Sequence, residues 1–308
     1  MSPSCRSTSA ELFLLAGALV LRTAPAAGQA CCAGAGAVTP ARLGLHDDAV
    51  VGLQARAADV FGSFDARGEF VPAPAGAREW NFEQDVYSAI RVLQRGQLGL
   101  LVPFVETYRE SRGRSELGGG LGDLNVSARY DFVLAHESVV VPGIALLFGV
   151  TLPTGRAVED AEKSMATDAT GLGAVQVNGG LALEQAFGPW LVGASGWLAY
   201  RAPRDVGGFR MSLAPQLSLL ASTGYAFDNG ASLALSALYS VEGDAEVDGV
   251  TVPDSSRRST QVSTGLAWPA SDQLFVLGSV FLSPPIDSFG VNQPATAGVS
   301  VGAKWASL

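Results

Sequence analysis

Charge is scarce in this chain. Asp, Glu, Lys and Arg make up 16% of its 308 residues, against about a quarter in ordinary globular proteins. Histidine is scarcer still, with His46 and His136 the only two, and cysteine is limited to Cys5, Cys31 and Cys32. No apolar run reaches the roughly 18 residues that a membrane-crossing helix needs. Each shortage excludes something. Two histidines far apart, and two adjacent cysteines without zinc-type spacing, point to no metal site. An outer-membrane lipid hydrolase would need a Ser–His pair facing the outer leaflet. His46 precedes the first expected strand and His136 falls in an expected periplasmic turn, so neither fits. A net charge of −9 with no basic patch argues against nucleic acid as a partner. No P-loop, dinucleotide fingerprint or zinc cluster is present. The run "GGGLG" at Gly118–Gly122 leads into a strand, so it lacks the helix N-terminus a phosphate loop uses. No catalytic residue and no cofactor are expected.

What the chain does have is glycine, 37 residues, a hydrophobic content of 48% and a mean hydropathy of +0.26. A hydrophobic chain without spanning helices suggests a β-barrel, which spreads its apolar residues over alternating positions. The N-terminus resembles an export signal: "LFLLAGALVL" from Leu12 to Leu21 is an apolar core, and "GQA" at Gly28–Ala30 is a small-residue cleavage site. The expected division is a signal peptide over 1–30, a short periplasmic segment over 31–48 and an outer-membrane barrel over 49–308. Cys31 and Cys32 would then stand at the start of the mature chain. A disulfide, lipidation or free thiols are all open to them, although Gly28 stands where a lipobox has an aliphatic residue.

Period-two alternation runs through the rest. In "LNVSARYDF", Leu124, Val126, Ala128, Tyr130 and Phe132 share one face, and Asn125, Ser127, Arg129 and Asp131 the other. "ASLALSALYSV" (Ala231–Val241) and "ATAGVSVGAKW" (Ala295–Trp305) repeat the pattern. The alternation predicts about twelve strands, near 49–61, 80–94, 97–109, 121–133, 139–152, 172–186, 189–201, 210–227, 230–243, 258–269, 273–284 and 293–306. Tight connections such as Arg95–Gly96, Phe187–Gly188 and "DNG" at Asp228–Gly230 alternate with long ones rich in Gly, Pro, Ser and charge. Short periplasmic turns and long outer loops are the signature of an outer-membrane barrel. The long connection 153–171 is a candidate constriction, and the acids in "VEDAEKSMATD" (158–168) read as a solvated loop. Aromatic residues gather at the expected strand ends: Tyr130, Phe132, Phe187, Trp190, Tyr225, Phe227, Trp268 and Trp305 at one, Trp80, Phe82, Tyr108 and Tyr200 at the other. Such girdles suit the two membrane interfaces. The expected fold is all-β, an antiparallel up-and-down transmembrane barrel of about twelve strands.

"GGGLGDLNVSARYDF" (Gly118–Phe132) and "GVTLPTGR" (Gly149–Arg156) resemble the outer-membrane transporter-like proteins of the MetA-pathway of phenol degradation family, which pair a "GxGD" strand start with a later "LPTG" strand end. The resemblance implies a barrel and a role in moving small, often aromatic, compounds across the outer membrane. It brings no catalytic or ligand residues. Gly120, Gly122, Asp123, Pro153 and Gly155 carry the motif, with structural roles expected at strand ends. The chain ends "KWASL", with Trp305 three residues before Leu308, a departure from the aromatic last residue that the barrel-assembly machinery reads.

The expected inner face carries Arg56, Arg91, Arg129 and Lys304 with Glu83, Asp85, Asp123, Asp131 and Glu184. Strands eight to eleven offer mainly Ser, Gly and Gln, such as Gln216, Ser218, Gln261 and Ser263. Two readings stand. One is a salt-bridge network that holds the barrel closed. The other is a selectivity ring in which Arg56, Arg91 and Arg129 favour anionic or π-rich solutes. The expected function is passive passage of small, aromatic or weakly anionic, solutes through an outer-membrane barrel of a Gram-negative bacterium. The alternative is a closed structural or surface-interaction barrel. Outer-membrane lipid, the solute and the barrel-assembly machinery are the expected partners.

Overall fold

The computed structural model describes residues 42–44, 47–135, 137–138 and 140–307. The expected signal peptide, Cys31, Cys32, His46 and His136 lie outside the described residues. Twelve long strands form the wall: β1 (Ala49–Phe64), β2 (Arg78–Leu93), β3 (Gly96–Ser111), β4 (Leu124–Val133), β5 (Gly143–Leu152), β6 (Gln176–Phe187), β7 (Trp190–Arg201), β8 (Gln216–Ala226), β9 (Ser232–Glu242), β10 (Arg257–Pro269), β11 (Leu274–Leu282) and β12 (Gln293–Ser307). Each pairs antiparallel with the next, and β12 pairs with β1 from Ala49↔Ser307 to Phe64↔Gln293. The ring is therefore closed, with no strand edge exposed along the wall. The expected strands all appear, with ends displaced by a few residues.

The short connections, 94–95, 134–142, 188–189, 227–231 and 270–273, lie at one end with the start of β1 and the end of β12, here the turn end. The long ones lie at the other, the loop end, and several hold secondary structure that alternation alone did not predict. Arg114–Leu121 folds back on the upper half of β3 as a strand, and Phe70–Pro72 pairs with the end of β1. The expected start of the eighth strand at 210 moves to Gln216, because Phe209–Ser212 pairs instead with Arg204–Val206 and Glu246–Val247 in a separate four-stranded sheet. Val158–Asp160 is a single 3-10 turn.

Pairing register sets which way each side chain points. On β4, Val126, Tyr130 and Phe132 are exposed on the outer face while Asn125, Ser127 and Arg129 point inward. This apolar face is the lipid face. Tyr130 and Phe132 meet edge-on at 5.1 Å, and Trp190, Tyr225 and Phe227 form a row at 5.0 and 4.9 Å, all at the turn end. Trp80 and Phe82 stack at 6.3 Å toward the loop end.

Pro103 sits inside β3, where a proline offers the ladder no N–H. The neighbouring strand breaks at that level: Phe104 pairs with Leu121 and Leu101 with Asn125. Gly122 and Asp123 form a bulge opposite the proline, and the Gly122 N–H donates to the Pro103 carbonyl at 2.8 Å. The "GxGD" motif is thus the place where the ladder accommodates a missing donor.

Inside, ring packing depends on glycine. The Tyr87 ring lies across Gly52 of β1, and the Phe281 ring lies across Gly298 of β12. Tyr87 is almost fully buried and a β-carbon at residue 52 would run into its ring. We predict that Gly52→Leu costs about 1–3 kcal/mol through overpacking. The temperature at which the folded band converts to the unfolded band in a heat-modifiability gel should fall. Gly278 on the lipid face has open space around it, so Gly278→Leu should leave that temperature nearly unchanged.

Candidate functional site: the lumen and its two closures

A cavity of about 760 Å³ occupies the barrel interior. It is bounded at both ends by chain that folds inward. At the turn end, Arg42 and Leu43 enter the lumen ahead of β1. Leu43 packs with inward-facing Val50, Ala89 and Ala306, and its N–H donates to the Gln97 side chain at 3.2 Å. Arg42 reaches Glu184 on β6 with a two-toothed contact, Nη1 to Oε1 at 2.6 Å and Nη2 to Oε2 at 2.5 Å. Arg129 on β4 holds the same carboxylate at 3.1 Å and also Asp131 at 2.7 Å. A carboxylate out of bulk water needs such partners, and Glu184 has two.

At the loop end, residues 153–175 fold into the mouth. Asp123 accepts the Gly155 N–H at 2.9 Å and the Leu172 N–H at 2.6 Å. A β-carbon on Gly171 would collide with the Asp123 carboxylate, so this closeness requires glycine. Thr154 donates to the Gly122 carbonyl at 2.7 Å and accepts the Leu124 N–H at 3.0 Å. The two motif stretches, 120–123 and 153–155, therefore meet as one latch. Glu116 accepts the Met165 N–H at 2.9 Å and the Thr167 hydroxyl at 3.2 Å, and Arg109 donates to the Met165 carbonyl at 2.6 Å. Ala169 to Leu172 line the cavity. The acid-rich stretch divides: Val158 to Asp160 face solvent or partly so, whereas Thr167 and Asp168 are buried, which corrects the expectation of a wholly solvated loop.

Between the closures, Arg56 on β1 meets Glu83 at 3.4 Å and stacks over the Phe281 ring at 4.1 Å. Trp197 on β7 also points into the cavity, opposite Gly180. Of the residues singled out from sequence, Arg56, Arg129, Glu83, Asp123 and Glu184 line this cavity. Arg91 lies at the turn end, donating to the carbonyls of Gly44 at 2.8 Å and Asp47 at 2.7 Å. Asp85 is buried on the inner face beside Gln54, with one carboxylate oxygen unpartnered among the described residues. Lys304 is buried with its ammonium 5.1 Å from the Phe275 ring centre. Gly120 and Gly122 lie in and beside the returning strand, and Pro153 and Gly155 open the infolded loop.

Sequence reasoning passed over Arg42, Arg109, Glu116 and Trp197. It also assigned strands eight to eleven a nearly uncharged lumen, yet Glu242 on β9 forms a buried pair with Arg201 of β7 at 2.6 Å. Gln176 and Gln216 complete that contact at 2.9 and 3.1 Å. Strand alternation was enough to place Trp197 and Arg201 inward. No pattern in the sequence pairs Arg42 with Glu184 across 142 positions.

The loop's inner anchor is Asp168. Burial works to raise its pKa, but the N–H groups of Glu162 and Lys163 and the Arg156 guanidinium, 2.6 Å away, outweigh it and hold the value at about 2, below the ordinary 3.8. A depressed carboxylate stabilises the fold above its unfolded pKa and loses that contribution as pH falls through the folded value. Amide hydrogen exchange over residues 160–172, corrected for intrinsic rate, should therefore stay slow from pH 7 to 4 and accelerate toward pH 2. Asp168→Asn should accelerate it several-fold already at pH 7.

The chain is similar in fold to an outer membrane channel from Pseudomonas putida F1, at 14% identity over 85% of this chain and 96% of that one, with a TM-score of 0.70. Looser likenesses are the KdgM porin in complex with disordered oligogalacturonate (8% identity, 84% and 99% covered, TM-score 0.48) and the transport unit of the autotransporter AIDA-I from Escherichia coli (8% identity, 84% and 90% covered, TM-score 0.44). No curated protein matches the chain. The model of the family described as putative MetA-pathway of phenol degradation matches residues 65–283, more than half of the sequence, and the protein belongs to that family.

Proposed function

We propose that the protein is an outer-membrane channel, exported through its N-terminal signal and inserted by the barrel-assembly machinery, that passes small aromatic or weakly anionic solutes passively. The observation that carries the reading is the cavity of about 760 Å³ enclosed by a closed barrel, a volume within the usual range for a small-molecule site. Its lining supplies the chemistry. Arg56 is the arginine best placed to meet a solute, because its partner Glu83 is at 3.4 Å and both side chains are one-third exposed. Arg129 sits between Glu184 and Asp131 and serves first to neutralise them; a glutamate in its place would set three acids together. Trp197 offers a ring face to aromatic solutes. The chain is read as a channel and not as an enzyme.

A second reading, a closed barrel without transport, is favoured by one observation. Leu43 packs on Val50, Ala89 and Ala306 at one side of the turn end and Arg42 reaches Glu184 on β6, so Arg42–Gly44 stand across the path of a solute leaving there. Single-channel recording of the refolded full-length mature chain in a planar bilayer separates the two. Discrete conductance steps are expected, with larger or longer openings in Arg42→Ala, which loses the grip on Glu184. Arg56→Gln should lower the anion-to-cation permeability ratio several-fold while leaving the folded band intact. Silence from both wild type and Arg42→Ala would support the closed barrel, and unchanged selectivity in Arg56→Gln would remove Arg56 from the filter.

A further inference from the structure

The small sheet at the loop end is two-faced. Its pairs are Arg204↔Met211, Asp205↔Arg210 and Val206↔Phe209, then Met211↔Val247, Ser212↔Glu246, Glu246↔Thr251 and Val247↔Val250. Directly paired residues share a face and neighbours alternate. One face therefore carries Asp205, Arg210, Ser212, Glu246 and Thr251. The other carries Val206, Phe209, Met211, Val247 and Val250, with Arg204 at its base. Phe209 is 58% exposed and Val250 69% exposed, while Val206, Met211 and Val247 are half-buried. The tips are tight turns, with positive φ at Gly207, Gly208, Asp248 and Gly249, so the apolar face is presented on a defined frame.

Arg204 fixes where that face stands. Its guanidinium pairs with Glu159 of the infolded loop at 2.5 Å and rests against Gly173, where a β-carbon would also lie 2.6 Å from the Ala157 side chain. Val158, next to Glu159, is itself 61% exposed. The apolar face is thus clamped onto the same loop whose residues Ala169–Leu172 line the lumenal cavity. Five side chains cover on the order of a few hundred Å², well short of the roughly 800 Å² per partner of a stable protein interface. The one charged group on the face is already paired, so nothing there would hold an ion.

We propose that this face is a capture site for uncharged aromatic or alkyl solutes, holding them at the mouth before they enter the lumen. The inference rests on the channel reading for its purpose, but the binding itself does not. The test uses the full mature chain in nanodiscs with Cys31 and Cys32 replaced by serine, and Val250→Cys labelled with bimane. Indole, a neutral ring that quenches bimane on contact, is the probe. Saturable quenching is expected, abolished by Phe209→Ser with Met211→Ser and absent with the anion indole-3-acetate. Quenching that is linear in indole and equal in both proteins would overturn the proposal. So would bimane emission already shifted to the blue without indole, because lipid would then cover the face. In planar bilayers, indole added on the loop side should block the current several-fold less often in the double serine variant, with unchanged block duration. Saturable binding in a protein that never conducts would leave the site standing and remove the channel.

Discussion

Everything in this protein depends on hydrogen-bonding the backbone where water is absent. In hydrocarbon an unpaired N–H or C=O costs several kcal/mol, so the pairing of β1 with β12, strands at opposite ends of the sequence, is what makes the other ladders tenable. That closure runs the full length of both strands, with one shift of register between Val60 and Gly62. The ladders also slip between Arg91 and Leu93 and between Asp131 and Val133, and at Pro103 the wall makes a further concession, which the bulge at Gly122–Asp123 absorbs. The concession is also useful. A bulge turns side chains out of strict alternation, and here it frees both oxygens of Asp123 to hold the infolded loop. A family motif that looks like a glycine-rich spacer is the joint between wall and mouth.

A narrow closed barrel must also fill or pair what it turns inward. Rings lying flat across glycines fill part of the lumen without pushing strands apart, as Tyr87 does over Gly52. Charges are paired in rows: Arg42, Glu184, Arg129 and Asp131 at one level, Arg201 and Glu242 with two glutamines at another. The N-terminal segment joins the first row directly, so the same contacts that neutralise a buried carboxylate also hold chain across the turn end. Structural pairing and closure of the lumen are one interaction there. Arg129 belongs to the network. Arg91 is taken up by backbone carbonyls, and Arg56, paired with Glu83 and stacked on Phe281, faces the cavity.

The wall was readable because its rule is local. Alternation of Leu124, Val126, Ala128, Tyr130 and Phe132 with polar neighbours is a property of nine residues, and the contrast of tight turns with long connections needs only strand ends. The inner or outer direction of Arg56, Arg129 and Glu184 followed from the same rule. The mouth was less readable because its rule is not local. Phe209–Ser212 alternates well enough to be taken as the start of β8, but Arg204–Val206 just before it and the distant Glu246–Val247 claim it. Thr167 and Asp168 look like any solvated acid-rich loop until Glu116, Arg109 and Gly118 are placed beneath them. The Arg42–Glu184 contact joins a segment before the barrel to its sixth strand, and no periodicity reports it.

The net charge of −9 is equally uninformative about the pore, for a physical reason. Irregular backbone at the loop end leaves amide donors that no ladder satisfies, and carboxylates are the acceptors that meet them. Asp65 accepts the N–H groups of Arg67 and Glu69, Asp123 those of Gly155 and Leu172, Asp168 those of Glu162 and Lys163, and Asp244 those of Ser255 and Ser256. These four aspartates are placed where they hold loops. The cavity itself is lined by Arg42, Arg56, Arg109 and Arg129 against Glu83, Asp123 and Glu184, and Asp123 is among the acids already engaged. Each of those arginines is itself ion-paired, Arg42 and Arg129 with Glu184, Arg56 with Glu83 and Arg109 with Glu79, so the charge of the whole chain and the charge of the lumen are set by different contacts and the first does not report the second.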